Sequence, residues 1–364
     1  MKIIIDCYHI AKKMRGMGVY LYEILEAVKE IPHIEFILIT NDAGAREMLY
    51  ERFKNHPNIH VRSLKAPLPI YEQILLPIYF HFVGADYLLS SGNTASMFGV
   101  AKRQILLIHD VYYLKPKTVS EEADSAKRRL GEIYRKTTVR EASKKIKRVI
   151  TVSNFAKQDI IRELQMPKTA VKVIHNGVDV DFFSGYEQYK SKRKSLLFVT
   201  GSSLQKNMSS TIKSLLSNQL ILQKFEKIDV VGISSAKEIG TLENDFVVYH
   251  GHLDREAVKK LYQASSHFML PSLYESFGIP AIEALMSGCD VYLSNRGAMS
   301  SLLSGIGTFY DPMDEASTRS VIDKMVTSQS LSREEYDENI KMAHQYTWQK
   351  SIFAFREYIN GLES

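Results

Sequence analysis

A chain of 364 residues exceeds one comfortable hydrophobic core, which predicts two domains. Its composition, 45% apolar and 24% charged with a formal charge of +6, is that of an ordinary soluble protein. No run approaches the ~20 apolar residues of a membrane-spanning helix, and the two cysteines, Cys7 and Cys289, supply neither a disulfide framework nor a paired metal-ligand set, which points to the cytoplasm.

The first half alternates strands and helices. KIIID (2–6) reads as a strand, because Asp6 interrupts the apolar run before a signal-peptide core can form. Val19 to Lys29 reads as a helix. Strands are expected at 34–40, 59–63, 86–89, 104–108, 148–152 and 171–174, with helical runs at 43–54 and 154–163, the latter N-capped by Ser153. This alternation predicts a doubly wound parallel sheet with ligands at the carboxyl ends of its strands.

Three candidate sites fall at such strand ends. Arg15-Gly16-Met17-Gly18-Val19-Tyr20 follows the first strand, and its paired glycines let backbone approach a phosphate or sugar closely. His109-Asp110 follows the apolar strand that ends at Ile108, and a small polar loop, SSGNTASMF (90–98), offers Asn93 to a sugar hydroxyl. Between Lys127 and Arg148, ten Lys and Arg stand against two Glu, a local charge of +8 that leaves −2 for the rest of the chain. This stretch is either a solvated helix face or a surface for anionic lipid headgroups, with Leu130, Ile133 and Tyr134 on its other face. No recognition motif accompanies the charge, so nucleic acid is not expected as a partner.

Asn176-Gly177 is a turn signal at which the chain leaves the first domain, and Asp179-Val180-Asp181 is formally a D-x-D pattern. Residues 184–195, SGYEQYKSKRKS, are polar without apolar period and read as a linker. The second half restarts with LLFVT (196–200), Gly201 and a loop carrying Lys206 into a helix, which makes a phosphate seat. Strands at 228–231 and 246–249 and a helix through REAVKKLYQA lead to HFML (267–270). There follows PSLYESFGIPAIE (271–283): a glycine turn, a helix entered at Pro280, and two carboxylates, Glu275 and Glu283. VYLSN (291–295), GIGTFYDP (305–312) and an apolar-periodic helix from Trp348 close the chain.

The stretch PSLYESFGIPAIEALMSGCDV resembles the signature of the retaining, nucleotide-sugar-dependent glycosyltransferases of family four. The Gly16–Tyr20 turn is similar to that of mannosyl- and rhamnosyltransferase-like members, and the His109-Asp110 step and NGVD (176–179) also resemble family landmarks. The resemblance implies an α/β GT-B fold: two Rossmann-like doubly wound domains facing a cleft. Residues 1–183 would form the acceptor-side domain, with 346–364 crossing back to it, 184–195 a linker, and 196–345 the donor-binding domain. It implies that Glu275 lies against the donor sugar, that the amides of Phe277, Gly278 and Ile279 hold the diphosphate with Gly201 and Lys206, and that Glu283 binds the ribose.

His109 would reach the sugar, while Gly16, Gly18, Tyr20, Asp110 and Asn93 would border the donor and acceptor pocket. The chemistry implied is metal-independent and cofactor-free: a hexose or deoxyhexose moves from a nucleotide diphosphate sugar to a saccharide acceptor, lipid-linked in bacterial surface polysaccharide synthesis. Such a protein would be cytoplasmic and peripheral on the inner face of the membrane. The D-x-D then reads as structural. Two departures stand out. The basic pair expected after the restart strand is reduced to Lys206, with Ser202 and Gln205 where a second cation belongs, and no Glu stands near Ser301. These leave open a non-catalytic nucleotide-sugar-binding subunit, or another enzyme of the fold such as an epimerase or phosphorylase.

Overall fold

The apolar runs become parallel strands buried on both faces, as happens where helices cover a sheet on both sides. The computed structural model describes all residues except 12, 13, 15, 116–125, 329, 330 and 364, so Arg15 lies outside the described residues. The chain divides into two units. One comprises Met1–Asn176 with Trp348–Ser364, the other Gly177–Thr347. The boundary thus falls at the Asn176-Gly177 turn rather than after residue 183.

In the first unit β1 (Lys2–Asp6), β2 (Glu35–Thr40), β3 (Ile59–Ser63), β4 (Tyr87–Ser90), β5 (Gln104–Leu107), β6 (Arg148–Thr151) and β7 (Val171–Val173) form one parallel sheet. Its order is β3-β2-β1-β4-β5-β6-β7. The winding reverses between β1 and β4, and the crevice beyond their carboxyl ends is where such sheets take ligands. The helix Trp348–Asn360 belongs to this unit: Trp348 packs 6.3 Å from Tyr20, and Ser351 Oγ donates to His175 O at 2.7 Å. Ser153 caps the helix Asn154–Leu164 by accepting from Ala156 N at 3.0 Å.

A helical run from Leu68 to Phe82, between β3 and β4, contains a π-helical turn at Tyr71–Leu75. The wider turn accommodates Pro77, which has no N–H to donate to the preceding turn. The basic stretch 127–148 is helical only as far as Ser143, in the helix Ala126–Ser143, and Lys144, Lys145 and Lys147 lie in the connection to β6, which begins at Arg148; the side chains of Lys127 and Arg128 lie outside the described residues. Tyr134 is not on an outer face with Leu130 and Ile133. Its hydroxyl turns inward to Glu72 at 2.5 Å, whereas Leu130 and Ile133 are exposed.

In the second unit β8 (Arg193–Val199), β9 (Lys227–Val231), β10 (Val247–Gly251), β11 (Ser265–Leu270), β12 (Asp290–Ser294) and β13 (Thr308–Tyr310) are again all parallel. Their order is β10-β9-β8-β11-β12-β13, with the reversal between β8 and β11. Residues 184–195 are not a linker. They form the helix Tyr186–Lys190 and the start of β8, because Tyr186 and Tyr189 stack on each other and pack against Tyr336, edge-on and tilted respectively. Aromatic burial overrode a polar composition.

Candidate active site

The two reversal points gather the polar residues. In the second unit, β8 ends at Val199 and runs through Gly201 into a tight turn, Leu204–Lys206, while β11 ends at Leu270 and runs into Glu275. Leu273 N donates to Gln205 O at 2.7 Å, which clamps the two loops. Lys206 Nζ lies 2.5 Å from Glu275 Oε1, both side chains partly open to solvent. Asn207 takes a left-handed conformation (φ 54°) and turns the chain into the helix Met208–Leu216.

Gly278, at φ 86°, heads the helix Ile279–Met286, and a Cβ there would meet Met299 Sδ at 2.5 Å. Gly297 is tighter still: at φ 106° its Cβ would lie 2.6 Å from Glu275 O and 2.7 Å from Glu275 N, and Ala298 N donates to that same Glu275 O at 2.8 Å. The Glu275 backbone is therefore held by a residue that only glycine can supply. The N-terminal N–H groups of both helices lack intrahelical partners and carry partial positive charge. Lysine, carboxylate and two helix N-termini around one crevice can hold a diphosphate and orient the group attached to it.

Gly201 meets nothing within 4 Å, so it leaves open space. Phe277 contributes only backbone there, since its ring is buried edge-on to Tyr346 at 5.6 Å. Glu283 stands one turn into its helix. Burial pushes its carboxyl up to about 7, against the opposing pull of Arg255 and Tyr262. No second lysine or arginine occupies the Gly201–Lys206 loop. The D-x-D residues are both taken up by cations of the helix Arg255–Ala264: Asp179 pairs with Arg255, and Asp181 lies 3.6 Å from Lys259.

In the first unit, His109 lies just past β5, buried, and burial with the nearby His9 holds its imidazole down at about 3, so the ring is neutral. Its Nε2 finds no hydrogen-bond partner among the described residues. A buried polar atom without a partner next to a ligand crevice is a place where a ligand hydroxyl completes the bonding. Asn93 serves this geometry indirectly. At φ 56°, it accepts from His109 N through Oδ1 at 2.8 Å and holds the strand end in place. Asp110 Oδ1 accepts from Tyr112 N at 3.0 Å, closing a local turn.

Tyr20 is not at a ligand surface: it is fully buried, donates to Ile174 O at 3.0 Å and sets its ring edge-on to His109. Gly18 is required because a Cβ would meet His9 O at 2.4 Å, a contact with the protein's own backbone rather than with a phosphate. Gly16 meets nothing within 4 Å. Sequence reading missed His9, Asp6 and Glu72. The last two are acids buried at the β1/β4 reversal, and an isolated Asp or Glu in an apolar run carries no signal of its neighbours.

A family profile described as Glycosyltransferase Family 4 matches residues 14–182, and one described as Glycosyl transferases group 1 matches residues 187–343. The chain belongs to the family-four glycosyltransferases. It is 26% identical over 340 residues to the O-antigen chain mannosyltransferase RfbU of Salmonella typhimurium, an alignment covering 88% of this chain and 90% of that protein. To the O-antigen chain mannosyltransferase B of Escherichia coli it is 22% identical over 377 residues, covering 96% and 97%. Among solved structures, the sucrose-phosphate synthase of Thermosynechococcus elongatus superposes with a TM-score of 0.72 at 16% identity, over 99% of this chain and 98% of that one, which shows the GT-B fold. For this family-four member, the strand ends just described are a candidate ligand site in each unit, taken by itself.

Proposed function

We propose that this glycosyltransferase is retaining and metal-independent, and that it transfers mannose or a related hexose from a nucleoside diphosphate sugar to a lipid-linked saccharide. The single observation that carries the reading is the Lys206–Glu275 pair between two helix N-termini at the β8/β11 reversal. The bond from sugar C1 to the diphosphate oxygen breaks and a bond from C1 to the acceptor oxygen forms on the same face. The acceptor proton passes to the departing phosphate, leaving nucleoside diphosphate and a new glycoside.

Lys206 exchanges its carboxylate for the diphosphate and opposes the charge that grows on it, together with the amides of Gly278 and Ile279. Glu275, released, accepts from sugar hydroxyls; Glu283 accepts from the ribose; His109 presents Nε2 to a hydroxyl. The relatives' names favour mannose. The test is a panel of GDP-, UDP- and dTDP-sugars with release of nucleotide as readout, repeated after dialysis against EDTA. Release with a GDP-hexose that survives EDTA supports the reading, and full loss restored by Mn²⁺ or Mg²⁺ overturns metal independence.

The membrane side of the proposal rests on an exposed apolar stripe. Ile70, Ile74, Ile78 and Phe82 recur every fourth residue along the helical run Leu68–Phe82 and are 47%, 50%, 62% and 84% exposed. Phe98, beside Pro77 and His81 through Gly99, and Leu130 and Ile133, beside Gln73 through Tyr134, extend it. Lys102, Arg103 and Arg129 are exposed in the same segments, while the one acid between residues 64 and 85 is the buried Glu72. Apolar side chains with exposed cations, beside acids that are buried (Glu72) or paired with Lys136 (Glu132), suit an anionic bilayer surface, which would hold the protein at the inner face of the membrane beside a lipid-linked acceptor.

A further inference from the structure

The π-helical turn Tyr71–Leu75 is tied to three other elements. Tyr71 donates to Asp6 Oδ1 at 2.9 Å, at the carboxyl end of β1. Gln73 donates to Ala95 O at 3.0 Å and accepts from Met97 N at 2.9 Å, holding the loop that follows β4. Gln73 also donates to Tyr134 Oη at 3.0 Å, and that hydroxyl in turn donates to Glu72 Oε2 at 2.5 Å, which fixes the helix Ala126–Ser143. Ser91 Oγ meets Asp6 O at 2.7 Å, so the ends of β1 and β4 are also joined directly.

Both lips of the first unit's ligand crevice are therefore set by three consecutive residues, Tyr71-Glu72-Gln73. A regular α-helical turn spaces consecutive side chains by about 100°. The wider π turn is a recurrent feature of functional sites, and here it lets Tyr71, Glu72 and Gln73 all reach inward. Glu72 is only 1% exposed, so it touches no substrate. An acid buried this deeply is costly unless its hydrogen bonds organise something else. What it organises is the Gln73–Tyr134 chain and, through Gln73, the loop 91–97 that also carries Asn93 and its bond to His109.

We infer that the Tyr71-Glu72-Gln73 turn sets the shape of the acceptor crevice in the first unit, with Glu72 as a positioning residue that acts on the loop 91–97 through Tyr134 and Gln73. The inference rests on the transferase reading above for the identity of the crevice's ligand, but not for the coupling itself. Burial raises the Glu72 carboxyl to about 7, with Asp6 pushing the same way and Thr94 of the loop itself, Tyr134 and Gln73 opposing. His9, Arg135, Tyr71, Cys7 and Tyr113 are the other titratable groups around Asp6 and this turn. Only the ionised carboxylate requires the Tyr134 proton, so the brace is tightest above that pH and slackens below it.

The test uses the full chain with Tyr134→Phe, Glu72→Gln and Glu72→Ala. Amide hydrogen exchange over residues 91–97 reads the coupling without any substrate. Exchange at Met97 is expected to rise at least tenfold in Tyr134→Phe and Glu72→Ala, and exchange in β8–β13 to stay unchanged. With turnover, acceptor KM is expected to rise about tenfold in both variants while nucleoside diphosphate affinity holds. The parent's acceptor KM should rise as pH falls from 8 to 6, and Glu72→Gln should flatten that dependence. Unchanged exchange at 91–97 in Tyr134→Phe overturns the inference, as does faster exchange with an unchanged acceptor KM. If Glu72→Ala does not fold, Tyr134→Phe, whose hydroxyl alone is removed, decides. A parent protein without turnover on any sugar nucleotide defeats the transferase reading and leaves the exchange result to stand or fall separately.

Discussion

At the scale of single residues, the Lys206–Glu275 pair makes opposite predictions for its two members. Each is partly open to solvent, so the pair itself stabilises by no more than about 1 kcal/mol. Glu275→Gln frees Lys206, and nucleoside diphosphate is expected to bind as well as in the parent or up to about fivefold tighter. Turnover should nevertheless fall about 10–100-fold, because charge-assisted bonds to the sugar, on the order of 1.5–3 kcal/mol, are lost. Lys206→Ala should weaken both, with kcat/KM down roughly 10²–10³ as for a lost preorganised donor. Calorimetric titration beside a coupled turnover assay separates the two, and a Glu275→Gln variant that loses nucleotide affinity would mean that the carboxylate contacts the diphosphate side.

Glu283 gives a pH signature, since only its ionised form accepts two hydroxyl bonds. With a carboxyl near 7, affinity for nucleoside diphosphate should rise about tenfold between pH 6 and pH 8 relative to Glu283→Gln. Parallel curves for the two proteins would remove Glu283 from the ribose role.

At the scale of elements, the helical run Leu68–Phe82 carries a prediction of its own. A large aliphatic or aromatic side chain leaving water contributes about 1.5–3 kcal/mol. Ile78→Ser with Phe82→Ser should therefore cut binding to phosphatidylglycerol-containing vesicles at least 30-fold, with little change in stability, as both are surface positions. Sedimentation with anionic and neutral vesicles measures this. Equal losses with both would reduce the surface to apolar contact alone, and a parent protein that dimerises in ultracentrifugation without vesicles would assign the stripe to a second copy.

That run also marks where sequence reading stops. The strands were legible because each is a short apolar run bounded by turn residues, and Ser153 and the turn at Gly278 were legible because capping and positive φ restrict residue type. PLPIYEQILLPIYF was not, since Pro69, at a helix start, and Pro77 read as breakers, and the π turn that accommodates Pro77 leaves no sequence period. Nor was SGYEQYKSKRKS, whose tyrosines find Tyr336 nearly 150 residues away. In the site, Lys206 and Glu275 were each visible in a motif, but their contact depends on strand order. Gly297 was invisible as the support of Glu275, because the contact is between backbones.

At the scale of the whole molecule, the buried carboxyls of Glu72 and Asp290 and the half-buried one of Glu283 share one sign. Burial raises Glu72, Glu283 and Asp290 to about 7 in the folded chain, from 4.5 for the glutamates and 3.8 for the aspartate. Each binds its proton more tightly folded than unfolded. The stability it contributes is complete below about pH 4 and lost as pH rises to 7, on the order of 1–3 kcal/mol per group. Glu26 and Asp311, whose cationic partners hold them below the usual range, act the other way and weaken folding as acid protonates them. The melting temperature of the parent should fall between pH 5.5 and pH 8, and combining Glu72→Gln, Glu283→Gln and Asp290→Asn should flatten that fall. A slope unchanged in the triple variant would place the proton uptake elsewhere.

The division of the chain also sets an order of events during synthesis. The seven strands of the first unit have all emerged by Val173, but the helix Trp348–Asn360 that buries Tyr20 and covers Leu25–Glu30 is made only after Gly177–Thr347. At about 5–20 residues per second, the ribosome leaves that groove uncovered for roughly 10–40 s. Nascent chains stalled short of Trp348 should therefore be cut by protease within the first unit, while chains extended far enough to release Asn360 from the exit tunnel resist. A synthetic peptide of residues 348–360 added to the shorter chains should restore resistance, and its failure to do so would mean that the helix must arrive tethered to the second unit.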